Sequence, residues 1–314
     1  MDTVGKKYLV LGAGVSGQAA ANALIRQGAE VVLNDVKPLN TNEQNLSKLS
    51  RMGVKIISGY QDESLLYGID GIIISPGIPL SLPVLNVARL SNIEIISEIE
   101  LAYRMSEAPI LAITGTNGKT TTTTLLGEML QTAGIPVAVG GNIGVPLTQE
   151  VHTVGKNGFI VAEISSFQLE GVSNFRPRAA AILNITPDHM DRHGTIEEYR
   201  NTKAKIFARQ GMYDYAVLNH DDPQVRTLAD KLAGQPMFFS RMTQPAGDGC
   251  YVAYCRLWLK YKGQTQCICA TNEIKLLGEH NIENALAACC LAAIAGVKPE
   301  TMAEVLRSFT GVEH

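Results

Sequence analysis

The stretch "ITGTNGKTTTTT", Ile113 to Thr124, constrains this chain more than any other. An apolar run, "ILAIT", ends at a glycine; a Gly-Lys-Thr core follows; a run of threonines then leads into "LLGEMLQTAG". Strand, turn and helix in that order make a βα unit. Successive backbone N–H groups at such a turn form a cradle for an anion. The usual nucleoside-triphosphate loop has four residues between its two glycines, whereas only two residues separate Gly115 from Gly118. The shorter loop still wraps phosphate if Gly115 and Gly118 supply backbone angles that other residues avoid. Lys119 can then reach terminal phosphates, and the Thr120 hydroxyl suits Mg2+.

One βα unit cannot bury its strand, so the rest of the chain has to supply more of the same pattern. Strand-like "KYLVLG", "EVVLND", "VKIISG", "DGIIISPG" and "IEIIS" alternate with helical "GQAAANALIRQG", "LSKLSRMG" and "LPVLNVARLS" before residue 100. Apolar runs bounded by glycine suit strands covered on both faces, hence a doubly wound parallel sheet. A second alternating block opens at "PILAITG" and continues through "PVAVGG", "GFIVAEISS", "AAAILNIT" and "YAVLN". From Met237 to Leu277 the pattern changes to hairpins, "YVAYCRLWLKYKGQTQCICA", with a Lys-Gly turn. Helices are expected near Asn281–Ala295 and Pro299–Ser308. The reading is an α/β chain: an N-terminal Rossmann-like doubly wound parallel sheet, then a P-loop-type ATPase domain with a largely parallel central sheet and a smaller β-rich subsheet. The boundary lies within "SEIELAYRMSEA" and is drawn between residues 98 and 99.

A length of 314 residues agrees with two domains. With 46% hydrophobic and 18% charged residues, the composition is that of a globular chain. A formal net charge of −3 gives no general attraction for nucleic acid, and no such partner is expected. No run reaches the roughly 18 apolar residues of a membrane helix, and "MDTVGKKYLV" lacks a signal-peptide core. The expectation is a cytoplasmic monomer with no membrane insertion. The cysteines at 250, 255, 267, 269, 289 and 290 lack zinc spacing and read as reduced thiols.

A second glycine cluster, "VLGAGVSGQAA", sets Gly12, Gly14 and Gly17 between a strand and a helix. Acidic Asp35 ends the next strand, roughly 20 residues on, as in the dinucleotide fingerprint. Small residues let the backbone approach a diphosphate, and the helix start favours negative charge. Those features do not choose a nicotinamide dinucleotide over a nucleotide sugar, and a tight turn without a ligand would also explain them. "SPGIP", from Ser75, ends another strand of the same sheet and belongs on the same carboxyl edge.

Polar residues end the strands of the second block. Glu163, at the end of "GFIVAE", is a carboxylate on an apolar strand, costly unless paired or metal-bound; beside a phosphate loop it is a natural Mg2+ ligand. "TPDHMDRHG" packs Asp188, His189, Asp191, Arg192 and His193 together after the next strand, and that position favours a role as ligands. Thr195 and Glu198 form a capping box for the following helix. Tyr199 and Lys203 fall on one face of it. Periodicity alone does not separate Lys203 from Lys205.

Taken together, these motifs resemble those of the Mur ligase family, ATP-dependent amide-forming enzymes of peptidoglycan precursor synthesis. The loop Gly115–Thr121 is similar to that family's shortened phosphate loop, and "SPGIP" and "LGEHNIENALAA" agree. "GGNIGVP", "EISSFQLE" and "TPDHMDRHG" resemble the member that adds D-glutamate to UDP-N-acetylmuramoyl-L-alanine. The resemblance implies an acyl-phosphate route that yields ADP and phosphate. It implies that Gly115, Thr116, Asn117, Gly118, Lys119, Thr120 and Thr121 bind ATP phosphates, and that Asn281 and Asn284 contact adenine. It implies two Mg2+ sites: Thr120 and Glu163 at the first, His189 at the second, with Lys203 carbamylated to make a metal-binding anion. Asn142, Ser165 and Ser166 would face the uridine-linked substrate. Gly14, Val15, Ser16, Asp35, Ser75, Pro76 and Gly77 would bind its uridine diphosphate. Lys119, Asn142, His189 and Lys203 would be the catalytic set. The family's third domain would begin at residues 312–314, after a central domain ending at residue 311, so a chain stopping there is expected to bind its substrates but turn over poorly. Other readings are a family member adding another amino acid, an NAD-dependent dehydrogenase explained by the first glycine cluster alone, and a non-catalytic nucleotide-binding module.

Overall fold

A computed structural model describes residues 3–312; of the expected start of a third domain at residues 312–314, residues 313 and 314 lie outside the described residues. The chain divides into two units. One runs to Ser106 and takes in Val145–His152 and Phe167–Phe175. The other comprises Glu107–Gly144, Thr153–Ser166 and the chain from Arg176 onward.

The first unit is built on five parallel strands: β1 (Lys7–Leu11), β2 (Glu30–Asp35), β3 (Lys55–Ser58), β4 (Gly71–Ile74) and β5 (Glu94–Ser97). Their order is β3-β2-β1-β4-β5. The chain leaves β1 in one direction and returns to its other side at β4. That reversal opens a crevice at the strands' carboxyl ends, where α/β sheets bind ligands. Strand alternation sends Leu9 and Leu11 to one face, against Ile72, Ile74, Val84 and Leu85. Helices α1 (Val15–Arg26), α2 (Gln44–Arg51), α3 (Pro83–Leu90) and α4 (Glu98–Met105) cover the sheet. Pro83 sits at the start of α3, where its missing N–H is not needed. Glu100 of α4 is fully buried, and its carboxylate accepts from the backbone N–H groups of Ser173, Asn174 and Phe175 and from Arg104.

The second unit carries nine strands in the order β14-β13-β12-β11-β10-β9-β6-β8-β7. Helix α5 (Lys119–Thr132) follows β6 (Ile110–Thr114), and β7 (Val137–Gly141) lies at one edge. After the short α6 (Leu147–Glu150), β8 (Phe159–Glu163) returns between β7 and β6. Short α7 (Ser166–Glu170) then leads toward β9 (Ala179–Ile182), on the opposite side of β6. Helices α8 (Met190–His193) and α9 (Ile196–Ala204) precede β10 (Tyr215–Asn219); α10 (Pro223–Arg226) precedes β11 (Gln235–Ser240). All these strands run parallel. The β-rich segment extends the edge of this same sheet. There β12 (Gly249–Ala253) pairs parallel to β11, and β13 (Arg256–Tyr261) and β14 (Gln264–Ala270) add antiparallel hairpins. The Lys-Gly turn is confirmed: Lys262 and Gly263 both have positive φ, 51° and 77°, as a two-residue hairpin loop needs. Tyr254 and Cys255 make the other turn, with φ 51° and 55°.

Helices α11 (Glu279–Ile294) and α12 (Pro299–Ser308) complete the unit. Every residue of α11 from Asn284 to Ala293 is buried, so this helix packs on all sides. Its alanines and cysteines are small enough to bring it close against α5 and the sheet. All six cysteines are free thiols, four of them buried. Among the described residues, no helix is long and apolar enough to cross a membrane.

Candidate functional site

The sheet order of the second unit explains which side chains meet. Strand β6 lies between β8 and β9, so the loop that leaves it is flanked by the ends of both neighbours. In register, Ile113 pairs with Glu163, Thr114 with Ile182, and Gly141 with Glu163. Four separated segments, at 115–120, 142, 163 and 184, therefore converge on one crevice at the topological switch point.

The loop is held from both sides. Gly118 caps α5 with φ 81°, a left-handed angle that disfavours side chains. A Cβ there would stand 2.2 Å from Asn284 Oδ1, so Asn284 presses directly on the loop. Asn284 Nδ2 donates to Asn281 Oδ1 at 3.0 Å, and Asn281 Nδ2 to the Leu277 carbonyl at 2.7 Å. On the β9 side, Asn184 Oδ1 accepts from Asn117 N at 2.8 Å while its Nδ2 donates to the Asn117 carbonyl at 3.1 Å. Thr116 Oγ1 accepts from Thr186 N and donates to the Thr186 carbonyl. No side chain caps α5, which leaves its first-turn N–H groups to a ligand. Thr121 lies in that turn.

Charge is arranged around this cradle. Glu163, 1% exposed, accepts from Thr120 Oγ1 at 2.9 Å on one oxygen and from Asn142 Nδ2 at 2.9 Å on the other. Lys119 folds back over the loop, its Nζ donating to the carbonyls of Gly115 (3.1 Å) and Thr116 (2.8 Å). Burial lowers the Lys119 pKa, with Glu163 and Asp188 acting in the opposite direction. Lys203, 1% exposed, donates to the Gly115 carbonyl at 2.9 Å and lies 4.5 Å from the centre of the Tyr199 ring. Burial pushes its amine down to about 7; the charge on Lys119 adds to the effect and Asp188 opposes it. Thus of two lysines that look alike in sequence, Lys203 is buried in the site, whereas Lys205 is exposed.

The remaining expected residues fall around this centre. Ser166 Oγ lies 3.0 Å from His193 Nε2, and His193 packs on Tyr199 at 4.9 Å between ring centres. Neighbouring Ser165 is half-buried. His189 caps α8 in the left-handed region, φ 51°, half-exposed, with Nε2 3.5 Å from Asp188 Oδ2. Among the described residues, no three His, Cys, Asp or Glu side chains stand together at metal-binding distance. An ion at Glu163 would have to complete its shell from Thr120, phosphate oxygens, water or a modified lysine. A buried carboxylate beside a hydroxyl at the mouth of an uncapped helix fits a hard, oxygen-loving cation.

Asn184 has no assigned role in the sequence, and His193, expected among the ligands, instead meets Ser166 and Tyr199. Asn184 had a signal: Glu163 ends the apolar strand on one side of the loop, and Asn184 follows closely on the apolar strand on the other.

In the first unit, the glycine cluster is shaped mainly by its own backbone. Gly17 sits so close to the preceding turn that a Cβ would lie 1.8 Å from the Gly12 carbonyl oxygen. Ser75 Oγ donates to that carbonyl at 3.0 Å. Asp35 accepts from Ala13 N on one oxygen and Lys37 N on the other, both at 2.9 Å. Gly14 caps α1 without a side-chain hydrogen bond, Val15 is 69% exposed, Ser16 and Pro76 are half-buried, and Gly77 is exposed. The crevice therefore offers backbone N–H groups and no cation of its own loop.

Comparison with known proteins agrees with both halves. Residues 113–292 match the Mur ligase middle domain, and residues 6–97 match the Mur ligase MurD-like N-terminal domain. The chain is 43% identical over 314 residues to the UDP-N-acetylmuramoylalanine--D-glutamate ligase of Thermoanaerobacter sp. (strain X514), covering 100% of this chain and 69% of that protein. It is 44% identical over 313 residues to the enzyme of the same name from Pelotomaculum thermopropionicum, again covering 69% of it. Among solved structures, UDP-N-acetylmuramate:L-alanyl-gamma-D-glutamyl-meso-diaminopimelate ligase from Neisseria meningitides superposes with a TM-score of 0.65 at 21% identity, covering 98% of this chain and 99% of that one. UDP-N-acetylmuramate-alanine ligase from Thermotoga maritima does so with a TM-score of 0.56 at 22% identity, covering 98% and 69%. At those identities the superpositions speak for the fold.

Proposed function

The chain belongs to the Mur ligase family, and from that premise we propose that it is the ATP-dependent ligase that joins D-glutamate to UDP-N-acetylmuramoyl-L-alanine in peptidoglycan precursor synthesis. The observation that carries the chemistry is the Thr120–Glu163–Asn142 constellation at the mouth of the phosphate loop. The muramoyl-alanine carboxylate is a poor acyl donor. Its oxygen attacks the γ-phosphorus of ATP, ADP leaves, and an acyl phosphate forms. The amine of D-glutamate then attacks the acyl carbon, phosphate departs, and an amide remains. Anionic groups have to converge for this, so fixed positive charge and oriented donors are the main catalytic resource.

Each residue then has a task. The N–H groups from Gly115 to Thr121 cradle the β- and γ-phosphates, and the Lys119 amine swings from the loop carbonyls to the transferred group. Thr120 and Glu163 would hold Mg2+, which when bound screens phosphate charge. Asn142 orients Glu163 and faces the reacting carboxylate, with Ser165 and Ser166 nearby. Asn281 and Asn284 take the adenine. His189 and Lys203 would serve the second metal site. Support for Lys203 lies in its burial and its pKa of about 7. A neutral amine can attack CO2; the proton leaves nitrogen, and a cation becomes a carbamate anion. The sheet of residues 1–98 would take the uridine diphosphate through Gly14, Val15, Ser16, Asp35 and Ser75–Gly77, while residues 99–311 handle ATP. Use of ATP and a nucleotide-linked substrate supports a cytoplasmic reaction.

Titration calorimetry tests the reading. Saturable binding of MgATP and of UDP-N-acetylmuramoyl-L-alanine is expected, with preference over UDP-N-acetylmuramate and over the muramoyl dipeptide. A preference for the dipeptide would reassign the amino acid added. Saturable NADH binding that excludes the uridine ligand would overturn the assignment of the first sheet.

A further inference from the structure

Helix α9 has a second row that the ligase chemistry does not use. Tyr199 and Lys203 form one i, i+4 row; Arg200 and Ala204 form the next, about 100° round the helix. Arg200 and Ala204 line a cavity of about 420 Å3 together with Phe207, Leu228, Lys231 and Leu232. Phe207 and Leu228 are buried, so one wall is apolar. Arg200 and Lys231 bring two cations, and among the described residues no Asp or Glu lines the cavity.

The guanidinium is under-used. It has five N–H donors in a planar fork. Nη1 donates to Gln224 Oε1 at 3.1 Å. Nη2 lies 3.6 Å from Glu197 Oε1, on a side chain that is 73% exposed. Nε is buried without an acceptor. Buried donors are nearly always paired, and an orphan beside a cavity points to a missing partner.

We propose that this cavity binds a small amphipathic carboxylate, its ring or branched chain against Phe207, Leu228 and Leu232 and its carboxylate on Arg200, within the field of Lys231. The volume lies in the range of small-ligand pockets. A planar carboxylate matches the guanidinium fork, and the apolar wall selects against a bare inorganic anion. Turning to such a ligand would draw the guanidinium into the cavity and give Nε an acceptor. No residue of the phosphate loop or of the first glycine cluster lines the cavity, so the site stands whether or not the ligase reading holds. Because Arg200 and Ala204 directly follow Tyr199 and Lys203, an occupant bears on the helix that carries the buried amine.

The test is a titration of the nitrogen-15-labelled chain with 2-naphthoate, followed by amide chemical shifts. Saturable shifts centred on Ala204, Ala208, Leu228 and Ala233 are expected. The neutral isostere 2-naphthamide, and separately the variant Arg200→Met, should each bind at least about tenfold more weakly. Leu228→Trp should fill the cavity and abolish binding; if that variant does not fold, Ala233→Leu narrows the mouth with less strain and should weaken binding. Absence of saturation at millimolar naphthoate, equal affinity for the amide, no effect of Arg200→Met, or shifts centred on Gly115–Thr121 would each overturn the proposal.

Discussion

The two glycine-rich junctions share one plan and differ in what reaches them. Each follows a parallel strand at a topological switch point, and each opens a helix that lacks a side-chain cap. At the first, Gly12–Gly17, the partners are Asp35 and Ser75, and both hold the loop's backbone. At the second, Gly115–Gly118, they are Glu163, Asn142, Asn184 and Lys203; a buried lysine, a buried carboxylate and the half-buried Lys119 lie within reach of the loop. Glycine spacing thus sets the shape of a phosphate cradle. On the proposed reading, titratable groups delivered by neighbouring strands and helices decide whether a phosphate is only held or also transferred.

The largest effect should come from the backbone of the first loop. Gly17→Ala puts a methyl group 1.8 Å from a carbonyl oxygen that cannot move without moving the turn. A loss of about 3–5 kcal/mol is expected in urea unfolding. Gly14 has negative φ and nothing within 4 Å of its would-be Cβ, so Gly14→Ala should change stability by no more than about 0.5 kcal/mol. Equal losses from the two alanines would break the picture of a loop defined by close approach at Gly17.

The second loop should be sensitive to charge. The Lys203 amine is depressed from 10.5 to about 7 in the folded chain. Between those values the unfolded chain holds the proton and the folded one does not, so stability rises with pH through that window. Below it, the full cost of burying the cation is present. In bicarbonate-free buffer, Lys203→Met should be the more stable protein below pH 7 and should flatten the alkaline rise, roughly 4–5 kcal/mol for the full shift. Parallel pH profiles for the two proteins would remove Lys203 as the source.

Lys119→Met should weaken MgATP binding by about 1.5–3 kcal/mol, the range for a hydrogen bond to a charged group, and leave binding of the uridine ligand unchanged. Calorimetry with both ligands checks the contrast; a matching loss for the uridine ligand would blur it. The smallest effect belongs to Asn184, whose side chain is taken up by the backbone of Asn117. Asn184→Ala should cost about 1 kcal/mol of stability and somewhat weaken MgATP binding. A loss in nucleotide affinity equal to that of Lys119→Met would promote Asn184 from a brace to a ligand contact.

Much of this was legible in the residues. Apolar runs of strand length, punctuated by glycine, specified two parallel sheets. The capping box at Thr195 and Glu198 marked the start of α9 to the residue. Glu163 could be singled out because a carboxylate ending an apolar strand needs a partner. What stayed hidden was long-range. Asn184 reads as one more polar loop residue until β9 is seen to lie beside β6. Lys203 and Lys205 are two lysines on one helix until burial separates them. Arg200 reads as one more cation on α9, and nothing local announces a guanidinium with an unpaired nitrogen.

Local chemistry by itself determined the βα units, their loops and the residues fit to meet an anion, because glycine angles, helix starts and strand periodicity are properties of a few consecutive residues. Only the tertiary structure decided which strand ends face one another, and so which lysine is stripped of water, which carboxylate is held by a hydroxyl and an amide, and which of two similar loops receives charge. Those outcomes depend on sheet order and burial, and the electrostatic cost of a buried charge does not exist until the whole sheet has assembled around it.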